Sequence, residues 1–186
     1  MVYKPQHLIV RIPMKGEPLD KIVDKHNAVT STSGAVWFGS RGQAPGEARL
    51  ILLMEQVERS VPTFLYLVQR KAQTFQTFQA PILAIAHSVP PTDSQLIPPY
   101  YVSFGSRFKA AIWLKAGLFK EEPDGALRLL QVETTGSPVT FVLAKSMASI
   151  LVVVEGEIEA SPPTRRRTLA ADTFDYLDRG LIWRCP

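Results

Sequence analysis

Residues able to do chemistry are scattered along most of this chain, but one stretch gathers several: Gly34-Ala35-Val36-Trp37-Phe38-Gly39-Ser40-Arg41-Gly42. An apolar, aromatic run leads into a glycine-bracketed turn that carries a hydroxyl and a cation, the pattern of a short strand and its exit. Gly39 and Ser40 are small enough to let a ligand approach the backbone closely. Flat rings beside exposed N–H groups and Arg41 suit a planar base joined to a phosphate. The competing reading is plainer: Trp37 and Phe38 alternate in and out of a β wall and simply pack, as most strand aromatics do.

The other reactive residues form no catalytic constellation. His7, His26 and His87 stand in three separate segments without HxH or HExxH spacing, so no metal site is expected. Neither a GxxxxGK[ST] nor a GxGxxG motif occurs, and Ser40 lies in Gly39-Ser40-Arg41-Gly42 rather than in GxSxG. The acidic groups Glu55/Glu58, Glu121/Glu122 and Glu155/Glu157/Glu159 read as solvated turns and strand ends. Neither catalysis nor a cofactor is expected. A single cysteine, Cys185, leaves no internal disulfide, and Met1–His7 has no apolar signal core. Together with the lack of any apolar run near 20 residues, this predicts a cytoplasmic protein with no membrane span. A net charge of +4 permits a polyanionic partner without demanding one.

Positioning falls to a β-rich chain of 186 residues with fifteen prolines and eleven glycines. Strands are expected at His7–Pro13, Ala35–Phe38, Arg49–Met54, Thr63–Lys71, Pro81–Val89, Ala110–Lys115, Leu127–Val132 and Ser149–Glu155. A further extended piece is expected at Tyr100-Tyr101-Val102 after a proline-rich connection, and one early helix over Pro18–Val29. So many short strands in so few residues predict a closed or nearly closed barrel, which removes exposed edges. The barrel domain takes residues 1–157. Residues 158–168, with Arg165-Arg166-Arg167, read as a basic linker, and residues 169–186 as a docking helix and tail.

The order of these segments resembles the PUA-like superfamily, and within it the EVE and YTH-like domains, including those fused to modification-dependent restriction systems. The resemblance rests on Val36-Trp37-Phe38-Gly39, Pro98-Pro99-Tyr100-Tyr101 and Ala111-Ile112-Trp113-Leu114 and spans roughly residues 7–155. It implies an α+β, β-rich closed barrel with peripheral helices, holding a modified or flipped base in an aromatic pocket. By that resemblance Trp37 is one pocket wall, with Phe38, Tyr100, Tyr101 and Trp113 as the other wall candidates. Gly39 and Ser40 would contact the base edge or phosphate. Strand alternation forbids both Trp37 and Phe38, or both Tyr100 and Tyr101 if extended, from facing one side, which favours Trp37 with Tyr101. Where relatives carry lysine after the glycine, this chain has Ser40-Arg41.

Basic residues near the aromatic segments supply a candidate phosphate track: Arg41, Arg70, Lys71, Arg107, Lys109 and Lys115, with Arg165, Arg166 and Arg167 as a backbone clamp. The expected partner is DNA or RNA, alongside a protein such as a nuclease or ATPase subunit. The rival expectation is a protein-interaction scaffold whose aromatics are all core.

Overall fold

The structure, a computed structural model, describes residues 4–72, 74–87, 91–103, 109–123, 125–145 and 149–156. The described chain runs β1 (Gln6–Ile12), α1 (Leu19–Ser33), β2 (Val36–Ser40), α2 (Glu47–Glu58), β3 (Phe64–Lys71) and β4 (Thr74–His87). There follow α3 (Pro99–Ser103), β5 (Ile112–Ala116), β6 (Lys120–Glu121), β7 (Leu130–Val132), α4 (Val139–Lys145) and β8 (Ile150–Glu155). The expected linker and tail, including Arg165–Arg167, lie outside the described residues, as does Arg107.

All eight strands join one mixed sheet in the order β2-β5-β4-β3-β1-β8-β7, with β6 attached to β4. Among the described strands, only β1 and β3 run parallel. The long β4 serves three neighbours: Thr74–Pro81 pairs with β3, Phe78 and Gln79 pair on the other side with β6, and Ile82–His87 pairs with β5 after a register shift at Ile82/Ala84. The shift bends the strand, as a bulge does.

The expectation of a closed barrel is overturned, because β2 and β7 end the sheet and do not pair with each other. Each edge already has its own cover. β7 is three residues long, and its free side is taken by the following turn, where Val132 N–H donates to Ser137 O at 2.9 Å. At β2 both peptide groups of Gly39 are engaged by the Tyr101 hydroxyl. Short strands and side-chain caps are alternatives to closure for managing an edge.

Two expected strands are helices. Arg49–Met54 falls inside α2, where Leu50, Leu53 and Gln56 are buried at helical spacing. Its residues are nearly all strong helix formers, and a short apolar run does not by itself tell strand from helix. Tyr100-Tyr101-Val102 is α3, opened by Pro99, with Tyr101 N–H on Pro98 O at 3.0 Å. The expected strand Leu127–Val132 is extended only from Leu130, after a 3-10 turn over Ala126–Leu129. α1 continues one turn past Val29, to Ser33, and stops where Gly34 takes φ 75° and donates to Thr30 O.

The sheet is buried on both faces. On the inner face, side chains of six strands, among them Val10, Phe38, Leu67, Ile85, Leu114 and Val152, pack with Leu19 and Val23 of α1 and Leu50 and Leu53 of α2. The outer face carries two smaller clusters. Ile9, Tyr66, Val68 and Val153 lie against α4 and the 3-10 turn. Trp37 and Trp113 lie against Leu96, Ile97 and Tyr101.

Candidate functional site: a tyrosine-lined cleft at the β2 edge

Strand alternation sends Trp37 and Phe38 to opposite faces, and it is Phe38 that reaches an opening. A cleft of about 340 Å³ is lined by Ile12, Pro13, Gly16, Glu17, Ile22, Phe38, Gly39, Arg41, Tyr100 and Tyr101. Its aliphatic side comes from the end of β1 and from α1, its aromatic side from β2 and α3. Gln69 on β3 fixes the loop between β1 and α1: its amide donates to Pro13 O (3.0 Å) and Glu17 O (3.3 Å), and its carbonyl accepts from Leu19 N–H (3.0 Å).

Behind the aromatic wall lies a buried polar network centred on His26, which has no exposed surface. His26 Nδ1 donates to Ile22 O at 2.7 Å, which leaves Nε2 as an acceptor facing the Tyr100 and Tyr101 hydroxyls, each at 3.3 Å. Burial lowers the His26 pKa to about 4, outweighing the opposing pull of the Ile22 hydrogen bond, so the ring is neutral near pH 7. Burial likewise pushes Tyr101 up to about 12, against the hydrogen bonds it receives from Tyr100 and Gly39 and the charge of Arg41. Tyr100 is raised as well, by burial first and then by the neighbouring Tyr101 oxygen. The two rings stack at 4.3 Å and 30°. Because α3 is helical, consecutive tyrosines share a wall that an extended strand would have denied them.

The Tyr101 hydroxyl accepts from Gly39 N–H at 3.1 Å and lies 3.3 Å from Gly39 O. The peptide groups expected to meet a base edge are therefore held by a tyrosine. Neutral phenols and a fully buried imidazole supply shape and hydrogen bonding to the cleft, and its charged groups are Glu17 and Arg41. No group of three or more His, Cys, Asp or Glu side chains among the described residues is placed to hold a metal ion.

Five residues singled out from the sequence thus meet here: Phe38, Gly39, Arg41, Tyr100 and Tyr101. Others stand elsewhere. Trp37 is only 6% exposed on the outer face, and its buried Nε1 makes no hydrogen bond. Trp113, opposite Gly39 in the register, meets the edge of Tyr101 at 5.4 Å on that same face. Ser40 Oγ turns back to accept from Gly42 N–H at 3.3 Å. Lys115 is on the outer face, 3.6 Å from Asp93 and 5.9 Å from the Trp37 ring. Arg70 and Lys71 end β3 outside the cleft lining, and Lys109 is exposed just before β5.

His26, Gln69 and Glu17 are members of the site that sequence reasoning missed. A signal for His26 was present: Leu19, Val23, His26 and Thr30 follow 4-3-4 spacing, and all four are buried. Gln69 carried no such signal, since its partners lie fifty or more residues away.

Compared with known proteins, the chain matches no family model, no curated protein and no solved structure. Among the described residues, no helix is long and apolar enough to cross a membrane.

Proposed function

We propose that the chain is a nucleic-acid-binding module that takes one base into the Phe38–Tyr100–Tyr101 cleft, with Arg41 meeting the attached phosphate. The observation that supports this reading is the composition of the cleft: aromatic and aliphatic walls with one cation, Arg41, and one carboxylate, Glu17, in the lining. At 340 Å³ the cleft lies at the small end of the range for ligand sites, about 300–1,000 Å³, which suits a base rather than a large cofactor. Apolar walls favour a base with little to hydrate, a methylated one included, and the phosphate supplies affinity that falls with salt.

Titration of fluorescent single- and double-stranded oligonucleotides, with and without methylated bases, over a salt series tests the proposal. Tyr100→Ala should lower affinity by roughly the 1–3 kcal/mol of one stacking contact. Arg41→Ala should flatten the salt slope by about 0.7 on single strands, the value of one phosphate contact. Lys115→Ala, on the opposite face, should change neither. Absence of binding in every arm would end the proposal.

A second reading, an interaction scaffold, draws on two features. The two described tryptophans and Tyr101 are packed side chains, and α2 presents Ile51, Leu52 and Met54 to solvent. Charged substitutions on that face would then abolish capture of a partner protein while leaving oligonucleotides irrelevant.

A further inference from the structure

We infer that residues 165–178 of this chain, which lie outside the described residues, dock in a groove between α4 and the 3-10 turn over Ala126–Leu129. The groove shares no residue with the tyrosine-lined cleft, so the docking stands apart from the nucleic-acid reading. It encloses about 560 Å³, with Phe75, Leu127, Phe141 and Ala144 as its apolar lining. Phe141 is 54% exposed and Leu129, at the end of the turn, 50%, which leaves an apolar surface suited to a contact.

Charge divides the groove. Arg128 lines it beside the 3-10 turn, and Lys145 Nζ stands 4.0 Å over the Phe141 ring. Where the groove runs onto the β3–β4 turn, Thr74, Phe75 and Thr77 also border Glu121 and Glu122, with Lys71 offsetting one of these carboxylates. The chain leads to the basic side: Gly156 N–H donates to Leu129 O at 2.7 Å, next to Arg128. From Gly156 to Arg165 is a reach of up to about 30 Å, more than the roughly 10–12 Å breadth of a helix such as α4. The sequence beyond carries the complement, Arg165-Arg166-Arg167 followed by Leu169, Phe174 and Leu177 interleaved with Asp172, Asp175 and Asp178. The arginines meet Glu121 and Glu122, the apolar side chains enter the groove, and the aspartates meet Arg128 and Lys145. Membership of the same chain raises the effective concentration, so a weak contact suffices. Ile51, Leu52 and Met54 of α2 are exposed too, but beside Glu55 and Glu58, with Arg59 already paired to Glu55, and that face would set carboxylates against the aspartates.

Cys185 is the single cysteine and takes one nitroxide label, whose paramagnetic broadening of backbone amide signals in the full chain maps what the tail touches. Broadening is expected at residues 125–128 and 140–144, and it should fade as salt rises. Arg128→Glu alters an exposed side chain and should remove most of the broadening; Asp175→Arg on that background should bring it back. A mixture of labelled chain with unlabelled, isotopically enriched chain should show none. Broadening in the mixture would assign the groove to a second copy and overturn the inference. Broadening confined to α2, broadening nowhere, or a groove signal indifferent to Arg128→Glu would overturn it equally.

Discussion

His26 holds two tyrosines and one helical carbonyl in place while carrying no charge, and that arrangement has a cost in acid. An unfolded chain protonates this ring below its ordinary 6.5, whereas the folded one waits until about 4. Since the unfolded state binds the extra proton first, stability is untouched at pH 7, falls as pH drops through 6.5, and stops falling on this account below 4. The gap corresponds to about 3 kcal/mol at about 1.36 kcal/mol per pH unit. His26→Gln keeps an amide in the site and removes the titration. Urea unfolding at pH 7 and pH 4 should therefore show wild type losing about 3 kcal/mol more than the variant. Parallel losses would mean that the ring already takes its proton in the fold. The same residue shows what a sequence conceals: a histidine without a metal-ligand neighbour looked idle, and its partners, Tyr100 and Tyr101, were known only as a pair.

At the scale of elements, β2 depends on a side chain from α3 for its outer hydrogen bonds. Tyr101→Phe keeps the ring against Trp113 but removes the oxygen that engages Gly39 and His26. Buried groups left unpaired cost about 1–3 kcal/mol, so the variant should melt lower, and the Gly39 amide should exchange with solvent faster than its neighbours. An unchanged Gly39 exchange rate would show the edge to be covered by something else. This element pair also marks the limit of what was legible. β1, β3, β5 and β8 could be read because their apolar runs are dense in Val, Ile, Leu and aromatic residues, and the apolar spacing over Pro18–Val29 marked α1, though its last turn to Ser33 was not read. α2 and α3 could not, since Arg-Leu-Ile-Leu-Leu-Met and Tyr-Tyr-Val have no period that separates strand from helix over so few residues. The cleft followed the same rule: its rings were identifiable, but whether Trp37 or Phe38 faced the opening depended on which side of the sheet α1 covers.

Across the whole molecule, the loop after β2 comes back against the start of β8. A Cβ added at Gly42 would stand 2.1 Å from Ser149 Oγ and 2.6 Å from Ser149 Cβ. Gly42→Ala should accordingly destabilise the fold by about 1–3 kcal/mol through overpacking. Ser149→Gly removes both offending atoms and should restore much of the loss, so that the double variant is more stable than the sum of its parts. Additive losses in thermal unfolding would show that the two segments do not touch in solution. The contact ties the arm bearing Arg41 to the start of β8, one strand in from the β7 edge, so loss of the seam should also loosen the cleft beside Arg41.

The parallel pairing of β1 with β3 sets a timetable. Leu8 lies between Leu65 on one side and Val152 on the other, so the strand near the middle of the sheet is made early and completed last. While the ribosome is still adding residues before 150, His7-Leu8-Ile9-Val10 holds one flank without a partner, an apolar edge open to any other nascent chain. Pairings this distant close slowly because a long loop must be ordered before they form. The chain's hazard is therefore concentrated in its synthesis, in the interval between the emergence of β3 and that of β8.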